Sequence, residues 1–172
     1  MYPIKLGFSE AQNRINSLHQ NGHYAEALIT TVFTFEKSVR RGINYLALAR
    51  GFTSKYSKTL FENYGFAKLK TAWPIFDRTN STLPDFVGSS WAAVPGAVTM
   101  RNKMAHGEKV YDLQKCKVEA VAVMNAVIDL RTNFLDDVGY DLWTKLPVRR
   151  LSKLSWDTSW HKKSKAKAFH AS

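Results

Sequence analysis

The chain has 172 residues, a length that suits one domain with a single buried core. Hydrophobic residues make up 45% of it, while Gly and Pro are few, which excludes a disordered or collagen-like chain. A single cysteine, Cys116, excludes an internal disulfide framework and a multi-thiolate zinc site. The 25 Lys and Arg residues exceed the 14 Asp and Glu residues by a net charge of +11, which favours polyanionic partners.

The sequence shows neither a secretory signal nor a membrane span. The first eight residues contain no apolar stretch of the signal type, and the apolar run 118–130 is interrupted by Glu119, Asn125 and Asp129. We therefore expect a cytoplasmic protein with no membrane partner.

Helical spacing of apolar residues recurs along nearly the whole chain, and no alternating pattern typical of strands is convincing. This predicts an all-α fold, an antiparallel helical bundle with two long helices and several short ones. Ser9 is predicted to cap a first helix that ends near Gln20. The second helix is predicted from about Tyr24 to just before Gly51, long enough to form the spine of the bundle.

Shorter helices follow. One is predicted to begin at Thr53 or Ser54 and another to cover residues 66–76, where Pro74 favours an early end or a kink. Residues 77–90 are predicted to be a loop, and residues 91–106 to form a helix in part, with Pro95 suited to its first turn. Asp112 is predicted to begin the second long helix, which runs to about Asp136. Its predicted core positions include Val118, Val121, Ala122, Met124, Asn125, Ile128 and Leu135.

Charge divides the chain into two parts. Residues 145–172 contain eight Lys or Arg and one acid, so they hold +7 of the total +11. We predict a helical bundle domain over residues 1–144 and a basic C-terminal extension over residues 145–172. Lys162 and Lys163 lie among aromatic residues there and are candidate RNA contacts, although a solvated extension without a ligand explains the pattern equally well.

The segment that best suggests chemistry is RNKMAHGE, residues 101–108. Five residues along a helix place Arg101 and His106 on adjoining faces of successive turns, so both are predicted to reach one groove. Arg can hold two phosphoryl oxygens, and His can take a proton from a ribose 2′-hydroxyl or give one to a departing 5′-oxygen. The alternative is that Arg101 is solvated and that His106 only bonds to the last carbonyls of its helix.

The pattern Arg101-Asn102-x-x-x-His106, followed by Gly107, Glu108 and a long amphipathic helix, resembles the signature of the HEPN superfamily. Members are small helical bundles, many of them metal-independent endoribonucleases of toxin–antitoxin, abortive-infection and CRISPR-associated systems. They typically act as dimers whose two motifs meet in one composite groove. The resemblance covers roughly residues 9–136.

The resemblance implies that Arg101 and His106 are catalytic, that Asn102 supports them, and that no metal or cofactor takes part. It also implies that RNA is the substrate, that the protein is a homodimer, and that an antitoxin or another defence-system protein is a partner. Glu108 stands where HEPN partners of nucleotidyltransferase antitoxins often have Tyr, so we do not predict regulation by nucleotide transfer.

Glu36 lies mid-helix in an apolar stretch, one turn before Arg40. It is predicted either to face the groove and orient Arg101 or His106, or to form a surface pair with Arg40. Arg40 and Lys103 are further candidate RNA contacts.

Two other functions remain open from the sequence. One is a non-catalytic helical module that binds RNA or a protein through its basic surface. The other is a helix-turn-helix DNA binder, which is disfavoured because the helix after Gly107 is too long and apolar for a recognition helix.

Overall fold

The computed structural model describes residues 7–152, which form seven α-helices and one 3₁₀ helix and contain no strand. This confirms the all-α prediction. No helix in this range is long and apolar enough to cross a membrane. The α-helices are α1 (Phe8–Gln20), α2 (Tyr24–Ala49), α3 (Ser54–Phe61), α4 (Phe66–Phe76), α5 (Leu83–Val87), α6 (Val94–Ala105) and α7 (Leu113–Val138), and the 3₁₀ helix is Gly88–Ala93.

The long helix α2 is the spine of the core. Half of its 26 residues are buried, with apolar side chains three or four residues apart, so that one broad stripe faces the other helices. Thr31, Thr34 and Ser38 are also buried, and each hydroxyl donates to the carbonyl four residues earlier, at 2.7–2.9 Å. These bonds satisfy polar groups that would otherwise destabilise the core.

The two long helices, α2 and α7, pack side by side and run in the same direction. Near their first residues, Lys117 Nζ lies 5.2 Å from the ring centroid of Tyr24, and near their last residues the rings of Tyr45 and Phe134 are 5.9 Å apart. The predicted antiparallel arrangement is therefore wrong for this pair. Short turns make sequence neighbours antiparallel, but several helices intervene between α2 and α7, so periodicity carries no information about their relative direction.

Gly42 of α2 lets the indole of Trp73 approach the helix backbone. A Cβ at Gly42 would lie 2.7 Å from Cη2 and 2.9 Å from Cζ3 of Trp73, a side chain that is fully buried. Because the ring has no room to move, we expect Gly42→Ala to lower the free energy of unfolding by about 1–3 kcal/mol. Urea unfolding measures this.

The matched control is Gly96→Ala in α6, where no atom lies within 4 Å of the added Cβ. Ala in such a helical position normally raises the free energy of unfolding by about 0.5–1 kcal/mol. Equal stabilisation by both substitutions would contradict the packing of Trp73 on Gly42.

Several helix ends agree with the sequence, and the start of α1 does not. Thr53 caps α3 by accepting from the N–H of Tyr56 at 3.1 Å, and α4 covers Phe66–Phe76, both as predicted. Pro74 lies inside α4 and does not end it early. Ser9 is not a cap, because α1 begins one residue earlier and Glu10 accepts from the N–H of Gly7 at 2.8 Å.

The predicted loop 77–90 is partly helical. Thr82 and Asp85 form a reciprocal cap, in which Asp85 Oδ2 accepts from the N–H of Thr82 at 3.0 Å and Thr82 Oγ1 accepts from the N–H of Asp85 at 3.3 Å. This cap begins α5, and the 3₁₀ helix follows. The Pro and Gly residues that suggested a loop lie in the first turn of α5 and just after its end.

The side of α7 that was predicted to face the core faces solvent instead. Val118, Val121, Asn125, Ile128 and Leu135 are exposed, whereas Met124 is buried as predicted. The residues that pack into the core are Cys116, Ala120, Val123, Met124, Ala126, Val127, Leu130 and Phe134. Both sides of α7 are apolar, so helical spacing alone could not select the buried one.

The packed part of the chain extends beyond the predicted boundary at residue 144. Arg149 and Ser54 exchange two hydrogen bonds: the N–H of Ser54 donates to the carbonyl of Arg149 at 2.9 Å, and the N–H of Arg149 donates to Ser54 Oγ at 2.8 Å. The start of the predicted basic extension therefore lies against the start of α3. The rest of that extension, from residue 153, lies outside the described residues.

Candidate active site

Helix α6 carries the RNKMAH motif on its last turn. Val94, Ala97 and Met100 are buried and fix the helix in the bundle. His106 is the C-cap residue, and its N–H donates to the carbonyl of Asn102 at 3.0 Å. Gly107 follows with a φ of +68°, a left-handed conformation that favours glycine and ends the helix.

Arg101 points from α6 to α2 and meets Glu36 there. Its Nη2 donates to Glu36 Oε1 in an ion pair whose side chains are only 14% and 19% exposed, respectively. The guanidinium also lies over the ring of Phe33, 4.7 Å from its centroid. Glu36 thus faces Arg101, one of the two arrangements predicted, and does not form the alternative surface pair with Arg40.

The environment of Glu36 disfavours its charge. Burial raises the pKa of this carboxyl above its usual value, although the positive charges of Arg101 and Arg40 act in the opposite direction. The environment of Arg101 is also unfavourable, because its Nε is buried and has no hydrogen-bond partner. The pair is therefore held in place by packing and mutual attraction, with one N–H of Arg101 left unsatisfied.

His106 lies on the surface beyond this pair. Asn102, Lys103 and His106 are all exposed, at the end of α6 that leads into the turn before α7. Within residues 7–152 no hydrogen bond or ion pair joins His106 to Arg101. Arg101 turns into the bundle and His106 stays in solvent, so one copy of the chain does not bring the two side chains into contact.

The other predicted RNA contacts have different surroundings. Arg40 is half-buried, and its guanidinium donates to the carbonyls of Phe61 and Tyr64 at the end of α3. These bonds give Arg40 a structural role, and we do not include it in the site. Lys103 is exposed beside His106. Lys162 and Lys163 lie outside the described residues.

Two features near the motif were not predicted as part of a site. One is Phe33, which is 43% exposed next to Arg101. The only signal in the sequence is its position three residues before Glu36, which places both on one face of α2. The other is Tyr111, in the turn after His106: the ammonium group of Lys109 in the same turn lies 5.0 Å from its ring centroid, and that of Lys115 in the first turn of α7 lies 5.9 Å from it.

This segment places the ring of Tyr111 and the lysines Lys109 and Lys115 on the surface that follows His106, together with the exposed carboxylates of Glu108 and Asp112. Lysines beside an aromatic ring are typical of surfaces that contact phosphates and stack bases. Within residues 7–152, no group of three His, Cys, Asp or Glu side chains is arranged to hold a metal ion. No protein-family model, curated protein or solved structure compared with the chain matches it.

Proposed function

We propose that the protein is an endoribonuclease of the HEPN type, which cleaves RNA without a metal ion. The observation that carries the proposal is the arrangement of the motif at the end of α6. Its arginine is anchored by an acidic residue of α2, and its histidine is exposed on the same turn as Lys103. An imidazole that meets solvent can exchange protons with a bound substrate, and an anchored guanidinium has a fixed position for a phosphate.

In the proposed reaction the ribose 2′-oxygen forms a bond to phosphorus while the bond from phosphorus to the 5′-oxygen breaks. One His106 accepts the proton of the 2′-hydroxyl, and the His106 of a second copy donates a proton to the 5′-oxygen. The products are a 2′,3′-cyclic phosphate and a 5′-hydroxyl. Two histidines are needed at once for this scheme, which is why the proposal includes a homodimer with a composite site.

Arg101 stabilises the negative charge that collects on the phosphoryl oxygens in the transition state. Glu36 acts as a positioning residue, since it fixes Nη2 of the guanidinium, and Nη1 is the donor that we assign to the substrate. Asn102 and Lys103, exposed on the same turn, supply polar and positive contacts to the RNA backbone. We place this activity in the cytoplasm, in a toxin–antitoxin or anti-phage defence setting with a neutralising or activating protein partner.

A second candidate is a non-catalytic module that binds RNA or a protein through its basic surface. One observation favours it: Arg101 is paired within its own protomer and is only 14% exposed, as expected for a residue that holds α6 against α2. In that case His106→Ala leaves RNA binding unchanged, and removal of residues 145–172, with their charge of +7, abolishes it.

The ends of the RNA fragments test the proposed function. Purified protein is incubated with a single-stranded RNA in EDTA, and the fragments are treated with a phosphatase and with a kinase. We expect 3′ ends that are blocked as cyclic phosphates and 5′ ends that the kinase can label directly. Fragments with 5′-phosphates, or cleavage that appears only after a divalent metal ion is added, would contradict the proposal.

A further inference from the structure

The outward side of α7 is an apolar stripe on which no element of residues 7–152 packs. Val118, Val121 and Leu135 are 58%, 51% and 47% exposed, and α2, α5, α6 and the 3₁₀ helix contact α7 elsewhere on its surface. The stripe consists of Val118, Val121, Asn125, Ile128, Thr132 and Leu135. A surface helix of a monomer normally has polar residues on this side, so the stripe indicates a covered face.

The spacing of the stripe suits a second helix. Its residues follow one another at intervals of three and four, the pattern by which two helices pack along a shared seam. Over residues 118–135 the stripe is about 26 Å long, at 1.5 Å per residue. We propose that a second copy of the chain packs on this face, with the two α7 helices parallel and in register around a twofold axis.

The polar members of the stripe favour this arrangement over an antiparallel one. In a parallel pair Asn125 meets Asn125 of the second copy and Thr132 meets Thr132, so each polar side chain finds a hydrogen-bonding partner. In an antiparallel pair with the apolar residues matched, Asn125 would face Ile128, and its amide would be buried without a partner.

The relative direction of the two α7 helices decides how far apart the two copies of His106 lie. His106 precedes the first residue of α7 by only seven positions, so a parallel pair places both histidines at the same end of the dimer. An antiparallel pair would separate the two starts of α7 by about 40 Å. The inference itself rests on the exposed face of α7 and not on RNA cleavage, so its test is separate from that of the proposed function.

A single introduced cysteine tests the contact and its direction. The only native cysteine, Cys116, is fully buried and gives little background. In the full chain, Asn125→Cys is expected to form a disulfide-linked dimer under mild oxidation, because residue 125 meets its own copy only in the parallel register. Asp137→Cys, exposed on α7 but away from the stripe, is the matched control and is expected to stay monomeric on a denaturing gel.

The mass in solution completes the test. At micromolar concentration the wild-type chain is expected to have twice the 19.6 kDa mass of one chain, and Val121→Glu with Ile128→Glu is expected to give the single mass. Both side chains are exposed in the protomer, so helical content should be kept. A monomeric wild type would overturn the proposal, and the apolar face of α7 would then be covered by residues 153–172 or by a different protein. A dimer that Asn125→Cys cannot crosslink would overturn the parallel register.

Discussion

His106→Ala is expected to lower the rate of RNA cleavage by about 10²–10⁴-fold, the usual effect of removing a general acid or base. The side chain is exposed at the end of α6, so the free energy of unfolding should change by less than about 0.5 kcal/mol. The measurement is the initial rate with a labelled RNA, together with urea unfolding of the same preparation. Loss of activity without loss of stability identifies a residue that acts in the reaction.

The matched control is His23→Ala. His23 is also exposed and also lies at the end of a helix, where it makes no capping hydrogen bond through its side chain. Its replacement should leave the cleavage rate within about twofold of wild type, because it lies outside the motif. Equal rates for wild type and His106→Ala would show that the cleavage comes from a contaminant or from another site.

Glu36→Ala is expected to lower the free energy of unfolding by about 2–3 kcal/mol. Loss of one partner from a buried ion pair typically costs about 3–5 kcal/mol of stability. We expect a smaller loss here because the side chains of Arg101 and Glu36 are both partly exposed. Stability falls because Arg101 would keep its charge against Phe33 without the carboxylate. In the double variant Glu36→Ala, Arg101→Ala, the loss should be clearly smaller than the sum of the two single losses.

Glu26→Ala provides the control for this prediction. Glu26 lies in the first turn of the same helix and is exposed, so its replacement should cost no more than about 1 kcal/mol. If Glu36→Ala and Glu26→Ala cost the same, the contact between Arg101 and Glu36 does not stabilise the fold.

The raised pKa of Glu36 also predicts a pH dependence. The folded state binds the Glu36 proton more tightly than the unfolded state, so this residue's contribution to stability is most favourable below the usual pKa of a carboxyl. The contribution declines as the pH rises towards the folded pKa. Gln at position 36 does not titrate, so Glu36→Gln lacks this contribution. As the pH rises through that window, the free energy of unfolding of wild type should therefore fall relative to that of Glu36→Gln. Urea unfolding of both proteins across a pH series measures this difference.

Local signals explain why most of the helix bounds could be predicted. Thr53 caps a helix by its hydroxyl, Pro95 lies in the first turn of α6, and Gly107 follows its end. Each signal acts through bonds within a few residues, so the sequence around it is sufficient. Asp112 likewise accepts from the N–H of Lys115 at 3.0 Å and begins α7 where expected.

Contacts between distant residues explain what could not be predicted. The sequence left open whether Glu36 meets Arg101 or Arg40, because the pair of Arg101 and Glu36 joins residues 65 apart and depends on how α6 lies across α2. The exposure of Val118 and Val121 depends on which apolar side of α7 meets α2. Periodicity describes a helix but not its neighbours, so these features require the packed structure.

The most direct test of the proposed chemistry compares two substrates that differ by one atom. An RNA and the same RNA with a single 2′-deoxynucleotide at the cleaved position are incubated with the wild-type protein in EDTA, and cleavage at that position is measured. The proposed mechanism needs the 2′-oxygen as the nucleophile, so the RNA should be cut there and the substituted strand should remain intact. Equal cleavage of both strands at that position would contradict it.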